Sequence, residues 1–176
     1  MKQLTPRKAL KSRLSALLFA TAAAVALADL SAAAEPADPD IALKPAHVIV
    51  NPWRFHIPPT KRQGVPGIER TAKGRLWAIY GRDVESHRHY QLLTFSDDDG
   101  KSWSDTHLMI LPRRGVRASG GCVWIDPQGR LWVFWMQAFG LQDGRYGIFA
   151  IMSDGPDADE PQLSAPRRLG DGVMLN

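Results

Sequence analysis

The tetrapeptide Gly-Arg-Leu-Trp stands at residues 74–77 and again at 129–132, inside the longer stretches TAKGRLWAIYG and DPQGRLWVFWM, an offset of 55 residues. A second pair of segments, YQLLTFSDDDG from Tyr90 and YGIFAIMSDGP from Tyr146, recurs at an offset of 56. Two independent anchors that agree to one residue define an internal repeat, and a unit of this length is a supersecondary element that cannot bury its apolar faces alone. Each copy reads as a strand, a Gly-containing turn, an apolar and aromatic strand, a long loop, a strand ending at Ser-Asp, a turn and a last strand, which in the first copy falls near Trp103–Leu111. No helical apolar period follows the first 34 residues.

Four short antiparallel strands per repeat are the signature of a propeller blade, whose sheet buries both faces against its neighbours. The expected fold class is therefore all-β, a β-propeller of four-stranded antiparallel blades. Trp77, Tyr80, Trp132, Phe134 and Trp135, concentrated in the repeated strand, are the expected filling between blades. Blade one is expected at about 62–111 and blade two at about 115–169. Two blades fall short of the usual four to eight, so an incomplete propeller is expected over 62–176, prone to aggregate through open edges.

Charge decides which partners remain. The chain carries a formal net charge of +4 and a pI near 9.5, which would suit a polyanion. Much of the excess sits in Lys2, Arg7, Lys8, Lys11 and Arg13, ahead of the 15-residue uncharged run Leu14 to Ala28. A basic start, a short apolar run and the small-residue sites Ala26-Leu27-Ala28 and Ala32-Ala33-Ala34 make a secretory signal over 1–34. The run is shorter than the roughly 20 residues a membrane anchor needs. Cleavage after Ala34 removes five of 22 basic and one of 18 acidic residues, leaving 17 of each. The mature chain is then neutral, which removes the case for nucleic acid and, after cleavage, for a membrane. The expected location is secreted or periplasmic. Residues 35–61, opening on the Pro- and Asp-rich EPADPDIALKP, read as a linker or leader. Cys122 is the single cysteine, so no intrachain disulfide forms, and it is expected to be buried.

Ser96-Asp97-Asp98-Asp99-Gly100-Lys101-Ser102-Trp103 fits the pattern S-x-D-x-G-x-x-W. In such a hairpin the Asp98 carboxylate accepts backbone N–H groups, Gly100 takes positive φ, and Trp103 folds back over the sheet. The aspartates lack the 12-residue spacing and closing Glu of a calcium loop, so Ser96, Asp98, Gly100 and Trp103 are structural. With this motif the sequence resembles the sialidase (neuraminidase) superfamily, the Asp-box or BNR-repeat proteins, over roughly Arg62 to Asn176. The second copy keeps only Ser153-Asp154-Gly155-Pro156 before an acidic loop. The resemblance implies a six-bladed parent and an exported glycoside hydrolase, exo-acting on terminal sugars, acidic ones included. It implies neither a cofactor nor a metal.

The resemblance also implies a site: three arginines on a substrate carboxylate, an Asp acid/base, and a Tyr/Glu pair whose Tyr is the nucleophile of a retaining reaction, most of them in later blades. The family motif F/Y-R-I-P-x-L matches Gln63-Gly64-Val65-Pro66-Gly67-Ile68, so Gly64 stands where the first arginine would fork onto the carboxylate. Phe55-His56-Ile57-Pro58 looks similar but lies too far upstream of Gly-Arg-Leu-Trp. The loop Gly81–Tyr90 offers Asp83 as the acid/base, with Glu85 close enough to raise its pKa. Candidate substrate-binding residues are Arg82, Glu69, Arg70 and Arg117. A solvated polar loop is the competing reading of Asp83 and its neighbours, and His87 with His89 does not make a metal pair. The rivals to an enzyme are a non-catalytic glycan-binding propeller, favoured by Gly64, and a pure interaction scaffold.

Overall fold

The computed structural model describes residues 41–55, 63–84, 89–113, 115–139 and 146–171. The repeated turn shows most directly how sequence becomes structure. After strand β2 (Gln63–Arg70), Thr71 and Arg75 close a tight loop through Thr71 N–H to Arg75 carbonyl at 2.9 Å and Gly74 N–H to Thr71 carbonyl at 3.0 Å. After strand β6 (Arg117–Ile125), Asp126, Gly129 and Arg130 make the same two bonds at 3.0 and 2.8 Å. Gly74 and Gly129 carry φ of 103° and 78°, which a side chain would resist, so glycine at this position is a backbone requirement.

Strands β3 (Leu76–Arg82), β4 (Tyr90–Ser96) and β5 (Leu108–Leu111) continue the first sheet, and β7 (Leu131–Ala138), β8 (Gly147–Ser153) and β9 (Arg167–Asp171) the second. All pairings are antiparallel. The strand that opens each copy of the repeat is bulged at the same place, between Gly64 and Gly67 in β2 and between Ser119 and Cys122 in β6. A bulge there bends the strand and re-aims the residues beyond it. The second sheet has the expected four strands. The first has five, because β1 (His47–Val50) adds outside β5 to give the order β1-β5-β4-β3-β2.

The expected linker at 35–61 is therefore corrected in its described part. Ile41–Leu43 forms a 3-10 turn and His47–Val50 a strand. Four residues are too few to show a period in sequence, and β1 gains its partner from β5, far along the chain, with His47 opposite Leu111 and Val50 opposite Leu108. The segment is also pegged to the second sheet by Gln137, fully buried, which accepts from Ala46 N–H at 2.7 Å and donates to the Ala42 and Lys44 carbonyls at 3.2 and 2.7 Å.

One core lies between the two sheets. Trp77, Ile79, Leu93, Leu108 and Ile110 from the first meet Val123, Leu131, Val133, Trp135, Phe149 and Ile151 from the second. The two-residue alternation of strands decides who belongs to it. Trp77 and Trp135 are fully buried there, whereas Tyr80 packs on the opposite face of the first sheet with Tyr90, Leu92 and Met109. Trp132 and Phe134 stack on each other, centroids 5.9 Å apart, and sit out of phase with the core-facing Leu131, Val133 and Trp135. Of the five aromatics expected between the blades, alternation sends only Trp77 and Trp135 into this core. Among the described residues no helix is long and apolar enough to cross a membrane.

Candidate functional site

Antiparallel pairing places Gln63, Arg82 and Tyr90 at one end of the first sheet, and Arg70, Leu76 and Ser96 at the other. Six residues of β3 separate the two ends by about 20 Å. Asp83 follows β3 directly, is half-buried, and has φ of 57°. That left-handed conformation costs a residue with a side chain roughly 1–2 kcal/mol, although Asp tolerates it better than most. Arg82 is the last residue of β3, beside it. Glu85, together with His87 and Arg88, lies outside the described residues.

Arg117 starts β6 on the same end. It is 9% exposed, and its guanidinium donates to the Val84 carbonyl at 2.6 Å and reaches His89 Nδ1 at 3.3 Å. This arginine holds the backbone just beyond Asp83, so it is placed to position the loop. His89 and Gln91 complete a buried polar seam between the sheets. Gln91 donates to the Ala118 carbonyl at 2.9 Å and lies 3.1 Å from His89 Nε2, and Ala118 N–H donates to the His89 carbonyl at 2.7 Å. Burial first, then the Arg117 charge, pushes the His89 imidazole down to about 4, with Asp83 opposing. The ring is thus neutral at physiological pH and within electrostatic reach of Asp83. The solvated loop that competes as a reading of Asp83 and its neighbours does not extend to His89, which is buried, as is Gln91. The signal for Gln91 is an amide in the largely apolar strand YQLLTF, in phase with core-facing Leu93.

Gly64, at the position of the family's first arginine, packs against the same loop. A β-carbon there would come within 2.8 Å of a Val84 methyl, and one at Gly81 within 2.4 Å of His89 Nε2. Small residues on adjacent strands let the Val84 and His89 side chains lie flat on the sheet.

Glu69 and Arg70 are not brought to this end. Arg70 pairs with Asp99 and donates to the Gly74 carbonyl at 3.3 Å. Partial desolvation of the sulfur, and after it the nearby Glu69 charge, raise the Cys122 thiol. Cys122 is exposed, contrary to expectation, because it follows the bulge of β6 on the strand's outward phase. In the Ser96–Trp103 turn, Asp98 accepts from Ser102 N–H at 2.8 Å, the Ser102 hydroxyl at 2.5 Å and the Ser96 hydroxyl at 2.8 Å. These bonds, those from Ser102 foremost, hold its carboxyl at about 2. Gly100 has φ of 82°, and Trp103 lies near it, 42% exposed. Among the described residues, no group of three or more His, Cys, Asp or Glu side chains is placed to hold a metal ion.

No family model and no curated protein matches the chain. Among solved structures the fold is similar to the Hadza microbial sialidase Hz136, with a TM-score of 0.50 at 18% sequence identity, over 62% of this chain and 26% of that one. The chain thus spans about a quarter of the length of the solved structure it matches. A likeness at this identity speaks for the fold: an all-β arrangement of antiparallel sheets consistent with part of a sialidase-type propeller.

Proposed function

We propose that the chain belongs to an exported sialidase-like glycoside hydrolase of six blades that removes terminal sugars from glycans, with Asp83 as the acid/base. One observation carries the reading: an aspartate held in left-handed backbone at the end of β3, its loop tied to the next sheet through Arg117 and Val84, in a fold similar to a microbial sialidase. Fixed geometry at a rim carboxyl is what general acid catalysis needs, because a proton must be delivered to a leaving-group oxygen within hydrogen-bond reach. Arg82 beside it is the candidate contact to the sugar. The S-x-D-x-G-x-x-W turn supports assignment to the Asp-box group in a structural role. The basic start and short apolar run of residues 1–34, outside the described residues, support export, which N-terminal sequencing of the secreted or periplasmic product would test by finding Glu35 first.

The test of the catalytic assignment is turnover of fluorogenic terminal glycosides, sialosides and neutral glycosides in parallel. Asp83→Asn should lower kcat by about 10²–10⁴, the range of general acid–base catalysis, and leave glycan binding in place. Full activity in Asp83→Asn would remove the proposal.

Gly64 favours a second reading, a glycan-binding propeller without chemistry. The Val84 side chain fills the space where a longer side chain at 64 would begin, so a guanidinium cannot enter from this position without moving the loop. Measurable glycan affinity with no turnover of any glycoside would select this reading.

A further inference from the structure

At the end of the first sheet opposite Asp83, beyond the core-facing Phe95 and His107, lies a cavity of about 700 Å³. Along β4 it is about 17 Å from the Asp83 end, and it belongs to no part of the site described above. Its size falls within the range of small-molecule pockets and exceeds what a bare ion needs. Three kinds of lining residue bear on what it would take. Trp53 and Phe55 are aromatic and 76% and 45% exposed. Asp105, Asp159 and Glu160 are all exposed carboxylates. His107 is 7% exposed, and its Nε2 is buried without a hydrogen-bond partner.

The chemistry of this lining is one-sided. No lysine or arginine lines the cavity among the described residues. Two guanidinium groups lie against the lining aromatics: Arg54 over one face of Trp53 at 4.6 Å, and Arg75 over Phe95 at 4.2 Å, with Arg75 already paired with Asp97. Clustered carboxylates of one sign repel acidic sugars and attract a cation. Aromatic faces take a cation or an apolar ring face, and Trp53 already holds one guanidinium in this way. Carboxylates and an unpaired imidazole nitrogen offer acceptors to a ligand rich in N–H and O–H groups.

We propose that this cavity is a binding site for a protonated amino sugar, one or two rings in size, separate from the Asp83 site. Trp53 and Phe55 receive the apolar face of the ring, Asp159, Glu160 and Asp105 the ammonium and hydroxyl groups, and His107 a further donor. The turn that presents the aromatics is built for exposure. Asn51 adopts φ of 48° and donates its N–H to the His107 carbonyl at 2.7 Å, and Pro52 is buried beneath.

The experiment is calorimetric titration of the full chain with the glucosamine disaccharide, its N-acetylated form, and arginine amide. The free amine should bind, the acetylated form at least tenfold more weakly, and binding should weaken with salt. The exposed-site variants Trp53→Ala and Asp159→Asn/Glu160→Gln should each lose binding at least tenfold with an unchanged circular dichroism spectrum, whereas Asp83→Asn should bind as the wild type does. Equal affinity for amine and acetylated sugar, undetectable binding at millimolar concentration, or undiminished binding in the carboxamide variant would each overturn the proposal. Arginine amide binding more tightly than the sugar would overturn the amino-sugar assignment. Because Asp83 takes no part, loss of the hydrolase reading leaves these outcomes unchanged.

Discussion

Gly-Arg-Leu-Trp is written twice and used in two different ways. In the first blade Arg75 and Trp77 are buried, 8% and 0% exposed, and both reach into the second blade. Arg75 donates to the Pro156 and Ala158 carbonyls at 3.2 and 2.7 Å and Trp77 Nε1 to Pro156 at 3.2 Å, while the Thr71 hydroxyl bonds Asp157 at 2.5 Å. In the second blade the equivalent Arg130 and Trp132 are half-buried and turn back on their own hairpin, both donating to Asp126, at 2.6 and 2.9 Å. Identical local sequence produces an identical turn, and whether it becomes a clamp depends on what packs against it. The acidic loop 154–160, which reads in sequence as a decayed turn motif, supplies the carbonyls that the clamp grips.

The sharpest way to break this comparison is to truncate the two tryptophans. Trp77→Ala empties a fully buried site and should cost about 3–5 kcal/mol, read as a shift in the urea midpoint. Trp132→Ala, on a half-exposed face, should cost about 1 kcal/mol. Equal losses would mean that the face of Trp132 is covered in solution.

Acid should act on the seam between the blades. The His89 imidazole is lowered to about 4 in the folded protein against an ordinary value of 6.5, so the unfolded chain binds the extra proton first. Stability is complete above pH 6.5 and is lost as pH falls from there through about 4, by up to about 3 kcal/mol. His107, lowered by burial and then by Arg75, adds a slope of the same sign. The readout is therefore the difference between wild type and His89→Gln in pH-dependent urea denaturation, and identical slopes would contradict the burial of His89.

A smaller contrast separates the hairpin anchors. Burial alone would raise the Asp126 carboxyl, but bonds from Trp132, Arg130 and Gln128 together hold it at about 2. Asp126→Ala leaves those donors unpaired and should lower Tm more than Thr71→Ala, which loses one bond. The smallest effect is expected in the exposed turns. Asp98→Ala unties Ser96 and Ser102 and should lower Tm slightly. Asp154→Ala, in a turn where Ser153 alone bonds the Gly155 N–H, at 3.3 Å, should leave Tm unchanged.

The candidate site divides along the same line. Asp83 and Arg82 were legible because a polar loop after a repeated apolar strand is a local pattern. Arg117 was legible as a basic residue near the second repeat, but its bond to Val84 joins positions 33 residues apart, and nothing in its neighbours announces that. Glu69 and Arg70 follow the motif in sequence yet fall at the far end of the sheet, because antiparallel pairing sends the end of β2 to the start of β3. The fifth strand β1 and the peg of Gln137 were invisible for the same reason.

The sequence by itself determined the repeat, through two anchors that recur at nearly the same offset, and, through spacing within a dozen residues, the strands inside each copy, the turns that demand glycine and the alternation that makes each strand two-faced. Tertiary structure alone decided which of two equal Arg-Leu-Trp segments is buried, which end of the sheet each charged residue occupies, and that a polar seam of His89, Gln91 and Arg117 joins the blades. Those outcomes depend on partners distant in the chain, and a side chain's environment is set by whatever surface arrives against it.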